Sequence, residues 1–249
     1  MMKGLKIVKK LGEGHFGETH LVSKNNQLYA LKTFHPTANV EDYQREVTNL
    51  MQLSQPHCHP DVICYIDHFK INNKYYILSK YIDGVTMDHY IQSHAMTRYA
   101  ITHFALWLCQ ILAWLHHKGF AHNDIGTNNI MRTPRGHYKL IDFGLSCRLT
   151  KTRFAAALGL TAQRTNNCTS KRLVNQKYIS PELRSGLYLK RVNKYSQTSD
   201  VYAAGLVLIE VMQHYIMPLC FIRVVESMVK YNPETRITAQ RAYDALKMC

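Results

Sequence analysis

Three side chains in the middle of the sequence have the types and spacing needed to handle a nucleotide and its magnesium. Asp124 and Asn129 lie five positions apart in one predicted loop. Asp142 ends a short apolar strand, and a glycine two residues later lets the backbone turn away. Carboxylate and amide oxygens are ligands that Mg²⁺ accepts in proteins. The pattern therefore predicts a two-part magnesium and phosphate site.

The order of these residues resembles the catalytic core of the eukaryotic-type protein kinase superfamily. His122-Asn-Asp124-Ile-Gly-Thr-Asn-Asn129 matches His-x-Asp-x-x-x-x-Asn, and Asp142-Phe-Gly144 follows it. Either half alone is a weak signal, but both in this order are specific. The resemblance implies that Asp124 accepts or orients the proton of the attacking hydroxyl. It also implies that Asn129 and Asp142 hold the magnesium ions that bridge the phosphates of ATP.

A glycine-rich stretch near the start of the chain is the candidate phosphate-binding loop. Gly12-Glu-Gly14-His-Phe-Gly17 lies between two predicted strands, whereas a dinucleotide-binding turn opens a helix. This context favours the kinase type of glycine loop, and the alternative is a flexible hairpin. The resemblance adds Thr19, in the strand that follows, to the nucleotide contacts.

Lys32 and Glu46 are candidates for an ion pair at the nucleotide phosphates. The resemblance implies that Lys32 holds the phosphates while Ala30 lies against adenine. Glu46 falls within an apolar repeat of helical spacing from Val40 to Leu53, where the family keeps a glutamate that pairs with the strand lysine. The alternative is an exposed glutamate beside Arg45. The position of Glu46 on the flank of the apolar stripe favours the pair.

The stretch Lys80-Tyr-Ile82-Asp-Gly84 resembles the hinge of the family. The carbonyl of Lys80 and the N–H of Ile82 would then bind the adenine edge. Ser79, just before the hinge, is small, so we expect an open pocket behind adenine. Met131, after the catalytic loop, completes the expected nucleotide contacts.

The elements around these residues predict an α+β, bilobal protein-kinase-like fold in a single domain, 1–249. Five antiparallel strands and one helix would form the N-lobe, 1–79, followed by the hinge, 80–84, and a mainly helical C-lobe, 85–249. The predicted strands span 5–11, 20–23, 28–32, 62–69 and 74–79. In the C-lobe, an apolar stripe over 101–115 predicts a helix that carries the catalytic loop at its end.

Further residues from Tyr178 to Arg236 extend the resemblance over the whole chain. Ser180-Pro-Glu182 resembles the family's Ala-Pro-Glu, with Tyr178 two residues before Ser180. Asp200 would brace the backbone of the catalytic loop. Arg236 stands where the family keeps an arginine that pairs with Glu182.

Three positions depart from the family. Asn123 replaces the arginine before the catalytic aspartate, Gly126 replaces a lysine, and Val174 falls near the place of a threonine. We expect these changes to loosen the hold on the γ-phosphate and slow the reaction. The stretch from Asp200 to Arg236 is also shortened, as in the compact kinases of viruses and bacterial effectors.

The charge and hydrophobicity of the sequence narrow the classes of partner that the protein is expected to bind. The net charge is +14 and the pI about 9.5, but Lys and Arg are dispersed, which disfavours nucleic-acid binding. Residues 145–180 contain seven Lys or Arg and no acid. This segment predicts acidic protein acceptors, with a solvated loop as the alternative. No apolar run reaches the roughly 18 residues of a membrane span.

Seven scattered cysteines without a CxxC pair argue against a disulfide framework and favour a reducing compartment, the cytoplasm. For a viral or bacterial-effector protein this would be the host cytoplasm. His57-Cys58-His59 leaves a metal site open, although no second ligand pair has zinc-like spacing.

These residues predict transfer of the γ-phosphoryl group of ATP to a protein serine or threonine. Two alternatives remain open. One is a nucleotide-binding pseudokinase that acts as an interaction module, given Asn123 and Gly126. The other is an enzyme of the same fold that acts on tyrosine or a small molecule.

Overall fold

The structure is a computed structural model that describes residues 4–14, 16–149, 169–170, 176–188, 193–194 and 196–249. The chain divides into two compact units. The first contains Met1–Thr86 and Ile130–Gly144, and the second contains Met87–Asn129 and Leu145–Cys249. The predicted lobe and hinge boundaries within 1–249 stay predictions. Val174 and most cations of 145–180 lie outside the described residues.

The strands and helices are numbered along the chain. The strands are β1 Lys6–Gly14, β2 Gly17–Lys24, β3 Gln27–Phe34, β4 Tyr65–Ile71, β5 Lys74–Lys80, β6 Val85–Thr86, β7 Phe120–Ala121, β8 Ile130–Arg132, β9 Tyr138–Leu140, β10 Cys147–Arg148, β11 Thr169–Ser170 and β12 Asn193–Lys194. The helices are α1 Val40–Leu53, α2 Met87–Ser93, α3 Arg98–His117, α4 Pro181–Tyr188, α5 Gln197–Met212, α6 Leu219–Met228 and α7 Ala239–Lys247.

The first unit is built on a five-stranded antiparallel sheet in the order β1-β2-β3-β5-β4. The predicted α+β fold with five antiparallel strands is confirmed, although β1 and β2 extend further into the glycine loop than the pattern indicated. Val22, Leu31 and Leu78 form a buried cluster on this sheet. A second sheet joins β6, β8 and β9.

Helix α1 begins and ends where the apolar repeat predicted. The side chain of Asn39 accepts a hydrogen bond from the N–H of Glu41, which caps the helix, and acidic residues occupy the first turn. Its buried face includes Tyr43, Val47 and Leu50. The apolar face fixes which residues of α1 point inward, and Glu46 lies among them.

The second unit is built around α3, which packs against α5 and α7. The predicted stripe is buried in this core and comprises Ile101, Phe104, Ala105, Leu108, Ile111, Leu112 and Leu115. Gly119 has φ +81°, a conformation that favours glycine after a helix C-terminus. The chain therefore turns directly from α3 into β7 and the catalytic loop.

The chain between the two helices that follow Asp200 is short, while the predicted shortening relative to the family stays a prediction. Only six residues separate Met212, the end of α5, from Leu219, the start of α6. The two helices approach closely at Gly205, where an added Cβ would lie 2.6 Å from a side-chain carbon of Val229. A larger residue at 205 would push these helices apart.

The sequence argued against a disulfide framework, yet three of the described cysteines, Cys58, Cys64 and Cys147, are disulfide-bonded. Cys58 and Cys64 are bonded, with 5.4 Å between their Cα atoms. The loop of 53–65 returns on itself, so two cysteines six positions apart meet without a CxxC motif. The Nδ1 atom of His59 accepts the N–H of Asp61. The disulfide holds Cys58 and this hydrogen bond holds His59, so neither side chain supports the metal site that the pattern left open.

Among the described helices, none is long and apolar enough to cross a membrane.

Candidate active site

Lys32, Glu46 and Asp142 form an ion cluster within the first unit. The ammonium of Lys32 lies 2.8 Å from each carboxylate oxygen of Glu46 and 3.6 Å from Oδ1 of Asp142. The predicted ion pair is therefore present. Arg45 instead pairs with Asp42 at 2.6 Å. Three elements distant in sequence, β3, α1 and the chain after β9, supply the three charges.

The cluster keeps Lys32 protonated. Burial lowers the pKa of Lys32, but the charges of Asp142 and Glu46 outweigh burial and raise the pKa above its ordinary value. Burial also raises the pKa of Glu46, and Lys32 opposes that rise. A cation held in this way can pair with phosphate oxygens, which are strong acceptors.

Cross-strand pairing lines up the glycine loop with Lys32. Gly12 lies opposite Thr19 in β2, and Thr19 lies opposite Lys32 in β3. A Cβ added at Gly12 or Gly14 would meet no atom within 4 Å, whereas at Gly17 it would lie 2.0 Å from the carbonyl oxygen of Thr33. Gly17 is thus required by packing, while Gly12 and Gly14 leave open space next to the backbone of the loop.

Two side chains of α1 hold the backbone that follows Asp142. Arg45 donates from Nε to the carbonyl oxygen of Gly144 at 2.9 Å, and Asn49 donates to that of Phe143 at 3.2 Å. Asp142 itself has φ +58°, a strained conformation for a residue with a side chain. Sequence reasoning missed this role of Arg45 and Asn49. Their i, i+4 spacing on α1 was the available signal.

The expected adenine contacts lie on β3, β5 and β8. Ala30 pairs with Ser79 across the sheet, and the hydroxyl of Ser79 donates to the carbonyl of Ala30 at 3.4 Å. The N–H of Lys80 donates to the carbonyl of Cys64. That the carbonyl of Lys80 faces adenine stays a prediction. Ile82 is buried, and Met131 lies in β8 between β6 and β9.

In the second unit, Asp200 braces the catalytic loop as predicted. Its two carboxylate oxygens accept the backbone N–H groups of His122 at 2.8 Å and Asn123 at 2.7 Å. His116 also contacts Asp200, at 3.0 Å. Asp200 is only 1% exposed, so these bonds form away from water, where they are strongest. The loop before Asp124 therefore has a defined backbone.

Asn129 positions the carboxylate of Asp124. Its Nδ2 donates to Oδ2 of Asp124 at 2.7 Å and to the carbonyl of the same residue at 2.8 Å. The 3₁₀ turn Thr127–Asn129 brings the two residues together. The amide oxygen of Asn129 accepts a hydrogen bond from Nδ2 of Asn128 at 3.1 Å. Since Nδ2 of Asn129 is used by Asp124, this oxygen is the atom of Asn129 that is suited to a metal ion.

Each unit by itself supplies an oxygen ligand of the kind that magnesium accepts. In the first unit, the Asp142 side chain is 35% exposed, so its carboxylate can be reached from solvent. In the second unit, Asn129 has an amide oxygen. Both are hard oxygen ligands, and Mg²⁺ in nucleotide sites uses one or two such protein ligands together with phosphate oxygens and water.

Asn123, which stands where the family keeps an arginine, holds the catalytic loop through its side-chain amide. Its φ is +68°, a left-handed conformation that asparagine tolerates. Its Nδ2 donates to the carbonyl of Leu145 at 2.9 Å and lies 3.1 Å from Sγ of Cys147. This side chain therefore ties the catalytic loop to the start of the segment after Gly144.

The residues around position 126 leave room only for glycine. An added Cβ would lie 2.7 Å from Oδ1 of Asn128 and 2.8 Å from a ring carbon of Tyr178. The Tyr178 hydroxyl is bonded to Thr127 at 2.8 Å, which keeps the ring in place. The ring of Tyr178 thus fills the space into which a side chain at 126 would extend. From the sequence alone, position 126 indicated only the loss of a lysine.

Glu182 and Arg236 form the predicted bidentate pair. The distances are 2.8 Å from Nη1 to Oε1 and 3.0 Å from Nη2 to Oε2. The Arg236 side chain is fully buried, and its remaining donors bond to the carbonyls of Thr198, Lys230 and Tyr231. Burial alone would raise the pKa of Glu182, but the bonds to Arg236 lower it.

Comparison with known proteins defines the class. The sequence model of the family described as "Protein kinase domain" matches residues 5–221. The chain belongs to the protein kinase superfamily.

Individual relatives share about a quarter of the aligned residues. Mitogen-activated protein kinase kinase kinase kinase 3 of Homo sapiens is 26% identical over 213 residues, which cover 83% of this chain and 22% of that protein. Mitogen-activated protein kinase kinase 2 of Arabidopsis thaliana is 27% identical over 213 residues, or 84% of this chain and 53% of that protein. Serine/threonine-protein kinase sax-1 of Caenorhabditis briggsae is 30% identical over 148 residues, or 58% of this chain and 31% of that protein. The chain thus spans between about a fifth and about half of these relatives.

Proposed function

We propose that this protein transfers the γ-phosphoryl group of ATP to a serine or threonine hydroxyl of a protein. The observation that carries the proposal is the ion cluster of Lys32, Glu46 and Asp142. Burying a lysine between two carboxylates carries a desolvation cost that apolar packing would avoid, and pairing with the phosphates of ATP gives this arrangement a use. The name of one of the relatives above, sax-1, is also that of a serine/threonine-protein kinase.

Each residue of the site has a role in this proposal. Lys32, held by Glu46, pairs with the phosphates beneath the glycine loop. Asp124, oriented by Asn129, accepts the proton of the attacking hydroxyl. Asn129 and Asp142 hold magnesium, which, when bound, neutralises phosphate charge. Positioning and charge neutralisation then supply most of the rate.

The nucleotide base is assigned to the first unit. Ala30, Ser79, Lys80, Ile82 and Met131 contact adenine in this proposal. Gly12, Gly14, Gly17 and Thr19 cover the phosphates. The buried and small Ser79 leaves space behind adenine for a bulky inhibitor group.

We further propose acidic acceptor proteins, a cytoplasmic location, and a single kinase domain over 1–249. The cations of 145–180 support the acceptor preference. For a virus or a bacterial effector, the cytoplasm would be that of the host.

The decisive experiment incubates the protein with labelled ATP, magnesium and generic protein substrates, followed by phosphoamino-acid analysis. Label on serine or threonine supports the proposal, and label on tyrosine alone would redirect it. Nucleotide binding without transfer would identify a pseudokinase. The Asp124→Asn variant is the control, because it removes the base and leaves the bond from Asn129 to the Asp124 carbonyl in place.

A further inference from the structure

A pocket of about 440 Å³ opens on the second unit beside the catalytic loop. Asp88 and Ile91 of α2 line one side, Thr127 lies at the catalytic loop, and Glu210 of α5 lies below. Thr127 is three residues from Asp124, so the pocket begins within about 10 Å of the proposed base, which is about three residues of extended peptide. A side chain two or three positions from an acceptor hydroxyl can therefore reach it.

Glu210 is already engaged at both carboxylate oxygens. Lys177 donates to Oε1 at 2.6 Å, and the hydroxyl of Tyr178 donates to Oε2 at 2.5 Å. Tyr178 is buried and its hydroxyl also contacts Thr127. Glu210 therefore lies in a fixed position, with its side chain 18% exposed, while the side chain of Lys177 is 59% exposed.

The charges that line the pocket come from Asp88, Lys177 and Glu210. The two carboxylates would attract a cation, and the ammonium of Lys177 supplies one from within the chain. This ammonium also lies 5.2 Å from the centre of the Tyr178 ring, a favourable cation–π arrangement. Lys177 thus occupies the place that a lysine or arginine of an acceptor protein would take.

We propose that Lys177 is a specificity-determining residue that excludes basic side chains from this pocket. The inference rests on the proposed kinase function. The pocket then takes an uncharged polar side chain, for which Gln92, Asn128 and Gln213 provide hydrogen-bonding groups. Without Lys177, Asp88 and Glu210 would face the acceptor with no cation among the described residues that line the pocket. An arginine would then be favoured two or three residues from the acceptor hydroxyl.

The test compares position-scanning peptide libraries on four proteins: wild type, Lys177→Met, the double variant Lys177→Met/Glu210→Gln, and Lys247→Met. Lys247 is an exposed lysine over the ring of Tyr243 in the same unit, away from the pocket, and serves as the matched control. We expect Lys177→Met to raise the preference for arginine over alanine at one position about tenfold in kcat/KM, equivalent to about 1.4 kcal/mol. The double variant should lose that gain, and Lys247→Met should match wild type.

A second measurement keeps the inference independent of turnover. Binding of the arginine-fixed and alanine-fixed peptides is measured on the Asp124→Asn protein, with and without Lys177→Met, and the same change in ratio is expected. Absence of transfer by wild type to any peptide would contradict the proposed function, while the binding ratio would still report on Lys177. An unchanged ratio with Lys177→Met, or a gain that survives Glu210→Gln, would overturn the role of Lys177.

Discussion

At the scale of single residues, the site depends on charges that the structure holds in place before any ligand arrives. Lys32 is protonated because Asp142 and Glu46 surround it. Asp124 is oriented by Asn129. Such preorganised groups act on the developing charge without having to reorganise during the reaction.

The first prediction concerns Asp142. We expect Asp142→Asn to abolish transfer while the protein stays folded, because the change removes a metal-binding charge and keeps the shape of the side chain. Turnover with labelled ATP and the thermal unfolding midpoint are the measurements. Glu41→Gln, an exposed carboxylate of the same unit, is the control and should keep full turnover. Near wild-type turnover in Asp142→Asn would show that the nucleotide site is assigned wrongly.

The second prediction concerns Asn123 and phosphorylation. We expect turnover to be independent of phosphorylation within 145–180, because Asn123 carries no charge to bind a phosphate and already holds Leu145 through its amide. Phosphatase treatment, checked by mass spectrometry, should leave turnover unchanged. The candidate sites Thr150, Thr152, Thr161 and Thr165 lie outside the described residues.

Two substitutions separate the amide of Asn123 from its backbone conformation. Asn123→Gly tolerates φ +68° but lacks the amide, and Asn123→Asp keeps the shape but cannot donate to Leu145. Both should lower kcat by about tenfold or more, or about 1.4 kcal/mol in the barrier. A tenfold fall in the turnover of the wild-type protein after dephosphorylation, restored by rephosphorylation, would refute the predicted independence from phosphorylation.

At the scale of elements, the catalytic loop is held by pieces of chain far away in sequence. Asp200 of α5 holds its beginning. The turn Gln176–Tyr178 holds its end through the bond between Tyr178 and Thr127. The loop therefore depends on the packing of the second unit as well as on bonds between its own residues.

The third prediction follows from the contact of Gly126 with Tyr178. Restoring the lysine of the family by Gly126→Lys should lower turnover about tenfold, because its Cβ would collide with a ring that two hydrogen bonds retain. Gln110→Lys, which adds a lysine at an exposed position of α3, is the control. Higher turnover in Gly126→Lys would show that the missing lysine had limited the reaction.

The fourth prediction concerns the stability of the pair between Glu182 and Arg236. Glu182→Gln should reduce the free energy of unfolding by about 3 to 5 kcal/mol, because it leaves the buried guanidinium without a counter-charge. The pKa of Glu182 is lowered on folding. Its contribution is therefore complete above the unfolded pKa of about 4.5 and is lost as the pH falls through the folded pKa.

Urea unfolding of wild type and Glu182→Gln at a series of pH values checks this dependence. The difference in unfolding free energy should be constant near neutral pH and shrink in acid. Glu234→Gln, at an exposed position of the same unit, should unfold like wild type throughout. If the difference in unfolding free energy between the two proteins grew in acid, the prediction would be contradicted.

At the scale of the whole molecule, the net charge of +14 should attract acidic acceptors over distances longer than any single contact. The fifth prediction is that KM for an acidic peptide rises several-fold between about 50 and 300 mM NaCl, since salt screens exposed charges beyond about 10 Å. KM for an uncharged peptide, the control, should change little. Equal salt dependence of both peptides would mean that the charge does not select the acceptor.

Local patterns in the sequence determined the elements and the chemistry of the site. The apolar repeat of α1, the buried stripe of α3 and the alternation of strands and turns each depend on neighbours within a few residues, so they can be read along the chain. The resemblance identified Lys32, Glu46, Asp124, Asn129 and Asp142, whose spacing is that of the family. The pairs between Lys32 and Glu46 and between Glu182 and Arg236 followed from it.

Only the tertiary structure decided how the unusual positions are accommodated. The ring of Tyr178, 52 positions away, fills the space beside Gly126. The ammonium of Lys177, 33 positions away, neutralises Glu210. The bond between Cys58 and Cys64 depends on how one loop folds back. Contacts of this kind leave no periodic trace in the sequence, because they depend on the packing of distant elements and not on the residues next to them.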